Sequence, residues 1–160
     1  MNKSHKTQVH AEEGRQEIFI TREFELPVVL LFKAYTDPDI LEQWMGTKVH
    51  KLENKNHGSY HFITTDPQGN QHGFNGTIHR FSPNEIIIRT FEMEGGDFPP
   101  QLEFLTFEKR TATTSILQIH MILQSVETRD QLLKLPFKYG INMAHDQLED
   151  VMQRHLSSES

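Results

Sequence analysis

A single amphipathic stripe near the C-terminal end, preceded by a long run of strand-like segments, is what most restricts the fold of this 160-residue chain. Phe137, Ile141, Ala144, Leu148, Val151 and Met152 recur at helical spacing and form one apolar face. From Lys48 to Gln124, turn-forming clusters stand at Asn56-His57-Gly58, Asp66-Pro67-Gln68-Gly69-Asn70, Ser82-Pro83-Asn84, Gly95-Gly96-Asp97 and Arg110-Thr111. They divide this region into six short segments of strand length, the pattern of an antiparallel meander.

Ahead of the meander, Glu17 to Leu26 alternates in the period of a half-buried strand. Pro27 ends it and opens the apolar helix Val28 to Tyr35, which is expected to be buried on more than one side. Thr36 or Asp37 caps a second short helix that ends near Trp44, with Gly46 as its exit. Arg129 to Leu135 reads as a further helical turn, and Pro136 marks the start or a kink of the last helix. A seven-stranded antiparallel sheet has one face to cover, and only the C-terminal helix is long enough to cover it. The expectation is one α+β domain over 16–156, a sheet gripping a helix, with a disordered lead over 1–15 and a disordered tail over 157–160.

Composition narrows the functions. The chain has no cysteine, which excludes disulfides, thiolate metal sites and cysteine nucleophiles and suits a reducing cytoplasm. Its net charge of −6, with Lys and Arg scattered, argues against nucleic acid and against an anionic membrane surface as partners. The lead lacks the apolar core of a signal peptide, and no stretch approaches the roughly 20 apolar residues of a membrane span. A cytoplasmic location is expected.

Ile20-Thr21-Arg22-Glu23-Phe24, Leu26-Pro27, Val29, Phe32, then Thr36-Asp37-Pro38 through Leu41, Trp44 and Gly46 form one uninterrupted signature. Gly58-Ser59-Tyr60, Gly76, Ser82-Pro83 and Gly140 follow in order. With these residues the chain resembles the SRPBCC or START-like superfamily. The resemblance is to the branch related to the C-terminal domain of the heat-shock-protein ATPase activator, over about Ile18 to Met152. It implies a helix-grip, birch-pollen-allergen-like fold with a hydrophobic cavity and no shared catalytic set. Two positions depart from the family pattern: Gly140-Ile141 followed by His145 replaces a Gly-Trp pair and leucine, and Met45 follows Trp44.

Strand alternation points Tyr60, Phe62, Phe74, Gly76, Ile78, Ile87, Arg89, Phe91, Met93, Leu102, Phe104, Leu117, Ile119, Met121 and Leu123 toward the helix, and Glu103 away from it. Most of these simply fill a core. The expected ligand-binding set is Trp44, Tyr60, Phe62, Phe74, Arg89, Phe91, Phe104, Ile119, Ile141, Ala144, His145 and Leu148. Gly76 and Ala144 would leave the volume. Arg22 and Arg89 lie in the inward phase, where a guanidinium needs a partner: a ligand anion or, as the plainer alternative, a strand-end position or a Glu such as Glu92. His145 lies to the side of the stripe, as a proton-transfer group or as a rim histidine bonded to a strand.

No G-x-S-x-G or phosphate-loop motif occurs, and the ten histidines show no HxxxH pair on a convincing helix. No catalytic residue, metal or cofactor is assigned. The first reading is a binding module for a small apolar or amphipathic molecule, as a monomer or homodimer. The alternatives are a cyclase- or hydrolase-like enzyme using Arg89, His145 or Tyr60, and a stress-related module that contacts a chaperone.

Overall fold

The computed structural model of the chain describes residues 6–159. Its elements run β1 (Gln8–His10), β2 (Glu17–Phe24), α1 (Val28–Thr36), α2 (Pro38–Met45), β3 (Lys48–Leu52), β4 (Ser59–Thr65), β5 (Gln71–Ser82), β6 (Ile86–Met93), β7 (Gln101–Lys109), β8 (Ser115–Ile122), α3 (Val126–Lys134) and α4 (Phe137–Glu159). The strands form one antiparallel sheet in the order β1-β2-β8-β7-β6-β5-β4-β3, so the first long strand and the last close on each other. This is the expected α+β helix-grip architecture with eight strands instead of seven.

The additional strand comes from the segment expected to be disordered. Gln8, Val9 and His10 pair with Thr21, Ile20 and Phe19 of β2. Arg129 of α3 secures the same segment by donating to the Glu12 carbonyl at 2.6 Å. Residues 1–5, the rest of that lead, lie outside the described residues. Helix α4 continues to Glu159, into the stretch expected as a tail; Ser160 lies outside the described residues.

Local chemistry sets the element ends. The Asp37 carboxylate accepts from the Asp39 and Ile40 amides and caps α2, with Pro38 in the first turn. Gly46 closes the helix at φ 64°, a left-handed conformation that glycine adopts without a Cβ penalty. Ser125 caps α3, and α4 begins directly after Pro136. Helix α1 is more one-sided than its run of apolar residues suggests. Leu31, Phe32, Ala34 and Tyr35 are buried while Val29 is 57% exposed.

One face of the sheet carries Ile18, Ile20, Phe24, Tyr60, Phe62, Ile78, Ile87, Leu105, Phe107, Leu117, Ile119 and Met121, all buried with Leu148, Val151 and Met152 of α4. The phase expected for β7 is reversed. Glu103, Leu105 and Phe107 point to this core, whereas Leu102 and Phe104 lie on the outer face, only partly buried. On that outer face His120 stacks between Phe19, at 4.3 Å, and Phe104, at 5.6 Å, which accounts for aromatic residues there.

Gly76 of β5 serves packing in a way that differs from the expectation. A Cβ at this position would meet the Thr90 carbonyl oxygen and lie 2.6 Å from the Tyr60 hydroxyl. The missing side chain makes room for Tyr60, whose hydroxyl donates to the Thr90 carbonyl at 2.6 Å. Because a backbone carbonyl blocks the added methyl, Gly76→Ala is expected to cost about 1–3 kcal/mol. Urea unfolding checks this: the midpoint should fall with an unchanged denaturant slope.

Candidate functional site

Two polar groups of β2 and β6 enter the space between sheet and helix, and they do different things. Arg22, 4% exposed, reaches α4. Its Nη1 lies 2.8 Å from Asp146 and its Nη2 3.2 Å from Glu149. Glu149 also accepts from the Glu25 amide, so the carboxylate bridges the end of β2 and the helix. Arg22 is thus spent on a tie between layers. Asn142, Asp146 and Glu149 line the flank of α4 that meets Arg22, with Asn142 and Glu149 partly buried and Asp146 exposed.

His145 belongs to this tie. It is fully buried, with Nδ1 2.7 Å from the Thr7 hydroxyl and Nε2 3.4 Å from that of Tyr35. Burial and the nearby Arg22 charge push its pKa down to about 3, against the opposing pull of Asp146. The imidazole is therefore neutral and structural.

Arg89 stands directly opposite Glu103 across the β6–β7 ladder. Its Nε donates to Glu103 Oε1 at 3.1 Å, and the guanidinium carbon sits 5.1 Å from the centre of the Tyr60 ring. The other Glu103 oxygen accepts from Gln101 Nε2 at 2.8 Å. The partner is therefore a cross-strand glutamate rather than Glu92. Burial disfavours the Arg89 charge, but Tyr60 and Glu103 outweigh it and its pKa is raised. Burial also raises the phenol pKa values of Tyr35 and Tyr60, so both stay protonated.

This pair borders a pocket of about 290 Å³, near the lower end of the roughly 300–1,000 Å³ usual for small-molecule sites. Ile20, Ile119 and Met121 of the sheet face Phe137, Ile141 and Ala144 of α4 across it, and Trp44 and Met45 of α2 close one side. Phe98 and Pro99, from the loop after β6, lie at another side with Leu132 of α3. Trp44 is both wall and core: it is 5% exposed, donates its indole N–H to the Ala34 carbonyl at 2.8 Å and packs edge-on against Tyr35.

Of the residues expected to form the site, Trp44, Arg89, Phe91, Ile119, Ile141 and Ala144 are brought together around the pocket. Tyr60, Phe62 and Leu148 lie in the solid core beside it. Phe74 stacks on Phe91 at 5.5 Å, behind the pocket wall. Phe104 is on the opposite face of the sheet, and His145 faces Thr7 and Tyr35. Sequence reading missed Glu103 because Leu102 and Phe104 flank it and outvote it in an apolar alternation. The usable signal was Arg89 itself: an inward arginine in β6 needs a carboxylate on an adjacent strand, and β7 offers one in each phase, Glu103 and Glu108, so the choice between them rests on strand register. Among the described residues no group of three or more His, Asp or Glu side chains is placed to hold a metal ion, and no helix is long and apolar enough to cross a membrane.

A family model described as activator of Hsp90 ATPase homolog 1-like protein matches residues 25–153. No curated protein matches the chain. Among solved structures, a Rhodobacter sphaeroides protein superposes with a TM-score of 0.84 at 18% identity, covering 93% of this chain and 99% of the other. A Mycobacterium smegmatis protein gives 0.83 at 20% identity, with 94% and 99% covered. One from Arthrobacter aurescens gives 0.82 at 16%, with 92% and 91% covered. At these identities the likeness is one of fold.

The buried His145 makes stability pH-dependent. The unfolded chain takes up its proton near pH 6.5, the native one only near pH 3. The stability from keeping the ring neutral is therefore complete above pH 6.5 and is lost progressively as pH falls toward 3. Between pH 7 and pH 4 the wild type should lose about 3 kcal/mol more than His145→Gln, measured by urea unfolding. Parallel pH curves for the two proteins would show that the ring is not held neutral.

Proposed function

The chain belongs to the activator of Hsp90 ATPase homolog 1-like family, and from that premise we propose that it binds a small, mainly apolar molecule between its sheet and α4. The observation that carries this reading is the pocket of about 290 Å³ walled by Ile20, Phe91, Ile119, Ile141 and Ala144. Transfer of a ligand from water into such walls gains about 0.8 kcal/mol per buried methylene. Ala144 supports the reading further, because a larger residue on the pocket-facing side of α4 would fill the space.

Binding is favoured over catalysis by what the polar groups are already doing. Of Arg89, His145 and Tyr60, only Arg89 lines the pocket. The Tyr60 hydroxyl is spent on the Thr90 carbonyl, and His145 is engaged with Thr7 and Tyr35. Proton transfer needs a group that can exchange a proton within hydrogen-bond reach of the substrate atom, and a permanently charged guanidinium is not one.

The test is a thermal-shift screen of small apolar and amphipathic compounds, followed by titration. A binder should raise the melting temperature in a concentration-dependent way. Ala144→Leu should weaken the hit by about tenfold or more while the variant keeps its helical and strand content. If no compound shifts the wild type, or if Ala144→Leu binds as well as the wild type, the pocket is not the site.

A further inference from the structure

The polar end of the pocket carries information about the ligand's own polar group. The Arg89 guanidinium is held in place by its Nε–H bond to Glu103 and by the Tyr60 ring beneath it. Among the described residues, no acceptor takes a hydrogen bond from its Nη nitrogens, and these are not among the sealed, unpartnered buried atoms. They are therefore both free and reachable, on a side chain that is 15% exposed and lines the pocket.

The groups around Arg89 are occupied. Both Glu103 oxygens accept hydrogen bonds, one from Arg89 and one from Gln101. The Tyr60 hydroxyl and the Trp44 indole N–H are donated to backbone carbonyls. What remains unspent beside the Arg89–Glu103 pair is the set of Arg89 Nη donors, with the Gln101 amide oxygen as the neighbouring acceptor. Among the described residues, Arg89 and Glu103 are also the only charged side chains that line this pocket, so the charge of the pair sums to zero.

Resting on the reading that the pocket takes an apolar ligand, we propose that it selects an uncharged molecule bearing one hydrogen-bond acceptor, such as a ketone, ester or amide carbonyl, held by the Arg89 Nη groups. A neutral carbonyl gains a hydrogen bond from a charged donor and brings no charge to be buried. A carboxylate would gain the same bonds, but it would be the second anion on one guanidinium. Beside Glu103 its loss of hydration is not offset. A hydrocarbon of the same shape leaves the donors unpaired. Preference for the carbonyl over both is thus a consequence of the cross-strand pair, with Glu103 as the residue that rejects acids.

Three probes of matched size separate these cases: 4-propylacetophenone, 1-ethyl-4-propylbenzene and 4-propylbenzoate, titrated by NMR at pH 7 into the wild type and Glu103→Gln. In the wild type the ketone should bind about tenfold or more tighter than the hydrocarbon, the equivalent of one charge-assisted hydrogen bond. It should exceed the benzoate by a similar factor. In Glu103→Gln, which keeps an acceptor for the Arg89 Nε–H but leaves the guanidinium unbalanced, the benzoate should overtake the ketone. The hydrocarbon should be unchanged.

Equal affinity of ketone and hydrocarbon for the wild type would overturn the inference and leave the apolar site standing. Tightest binding of benzoate by the wild type would do the same. Failure of all three probes to bind the wild type would overturn the apolar-site reading itself. The wild-type comparison stands even if the variant does not fold.

Discussion

Arg22 holds the two layers of this protein at a defined separation. Its buried guanidinium joins β2 to Asp146 and Glu149 of α4, and Glu149 extends the tie to the Glu25 amide. Desolvation offsets much of the Coulombic gain of such a pair, so its contribution is chiefly to position: the carboxylates accept in one geometry and not in neighbouring ones. With α4 pinned along β2, its other flank faces β6, β7 and β8 across a gap, and that gap is the pocket. His145 completes the pin by linking Thr7 and Tyr35.

The apolar stripe of α4 consequently has two fates along its length. Leu148, Val151 and Met152 are fully packed, at 2% exposure or less. Phe137, Ile141 and Ala144 are half-buried and line open volume. Helical periodicity treats these residues alike, because it reports which side of a helix is apolar and nothing about the distance to the opposing sheet. The departure at Gly140-Ile141 falls at this point, where the helix face passes from core to pocket wall.

The elements themselves were legible because their signals are local. Asp37 before Pro38, Gly46 after Met45, and the glycine, asparagine and proline clusters between strands act within a few residues of where they stand. The family likeness of Leu26-Pro27, Trp44 and Gly46 added the connection between them. Two readings that depend on distant partners went differently. The lead before Glu17 has little apolar content, yet Gln8–His10 finds the open edge of β2 and Arg129 binds the Glu12 carbonyl. In β7, both alternation phases contain apolar residues and a glutamate, and the inward one is the phase whose register sets Glu103 opposite Arg89.

The sequence by itself determined the order of elements, the antiparallel sheet and the helix that covers it, since strand period, turn chemistry and helical stripe are properties of short stretches of chain. It also marked six of the residues that border the pocket. Only the tertiary structure decided that Glu103 faces inward, that Phe104 faces outward, that His145 belongs to the α4 tie, and that the Arg89 Nη donors remain free. Each of these is a matter of pairing between residues far apart in the chain. An inward arginine states that a carboxylate is required; which carboxylate answers, and which donors are left over, follows from strand register and from the separation of helix and sheet.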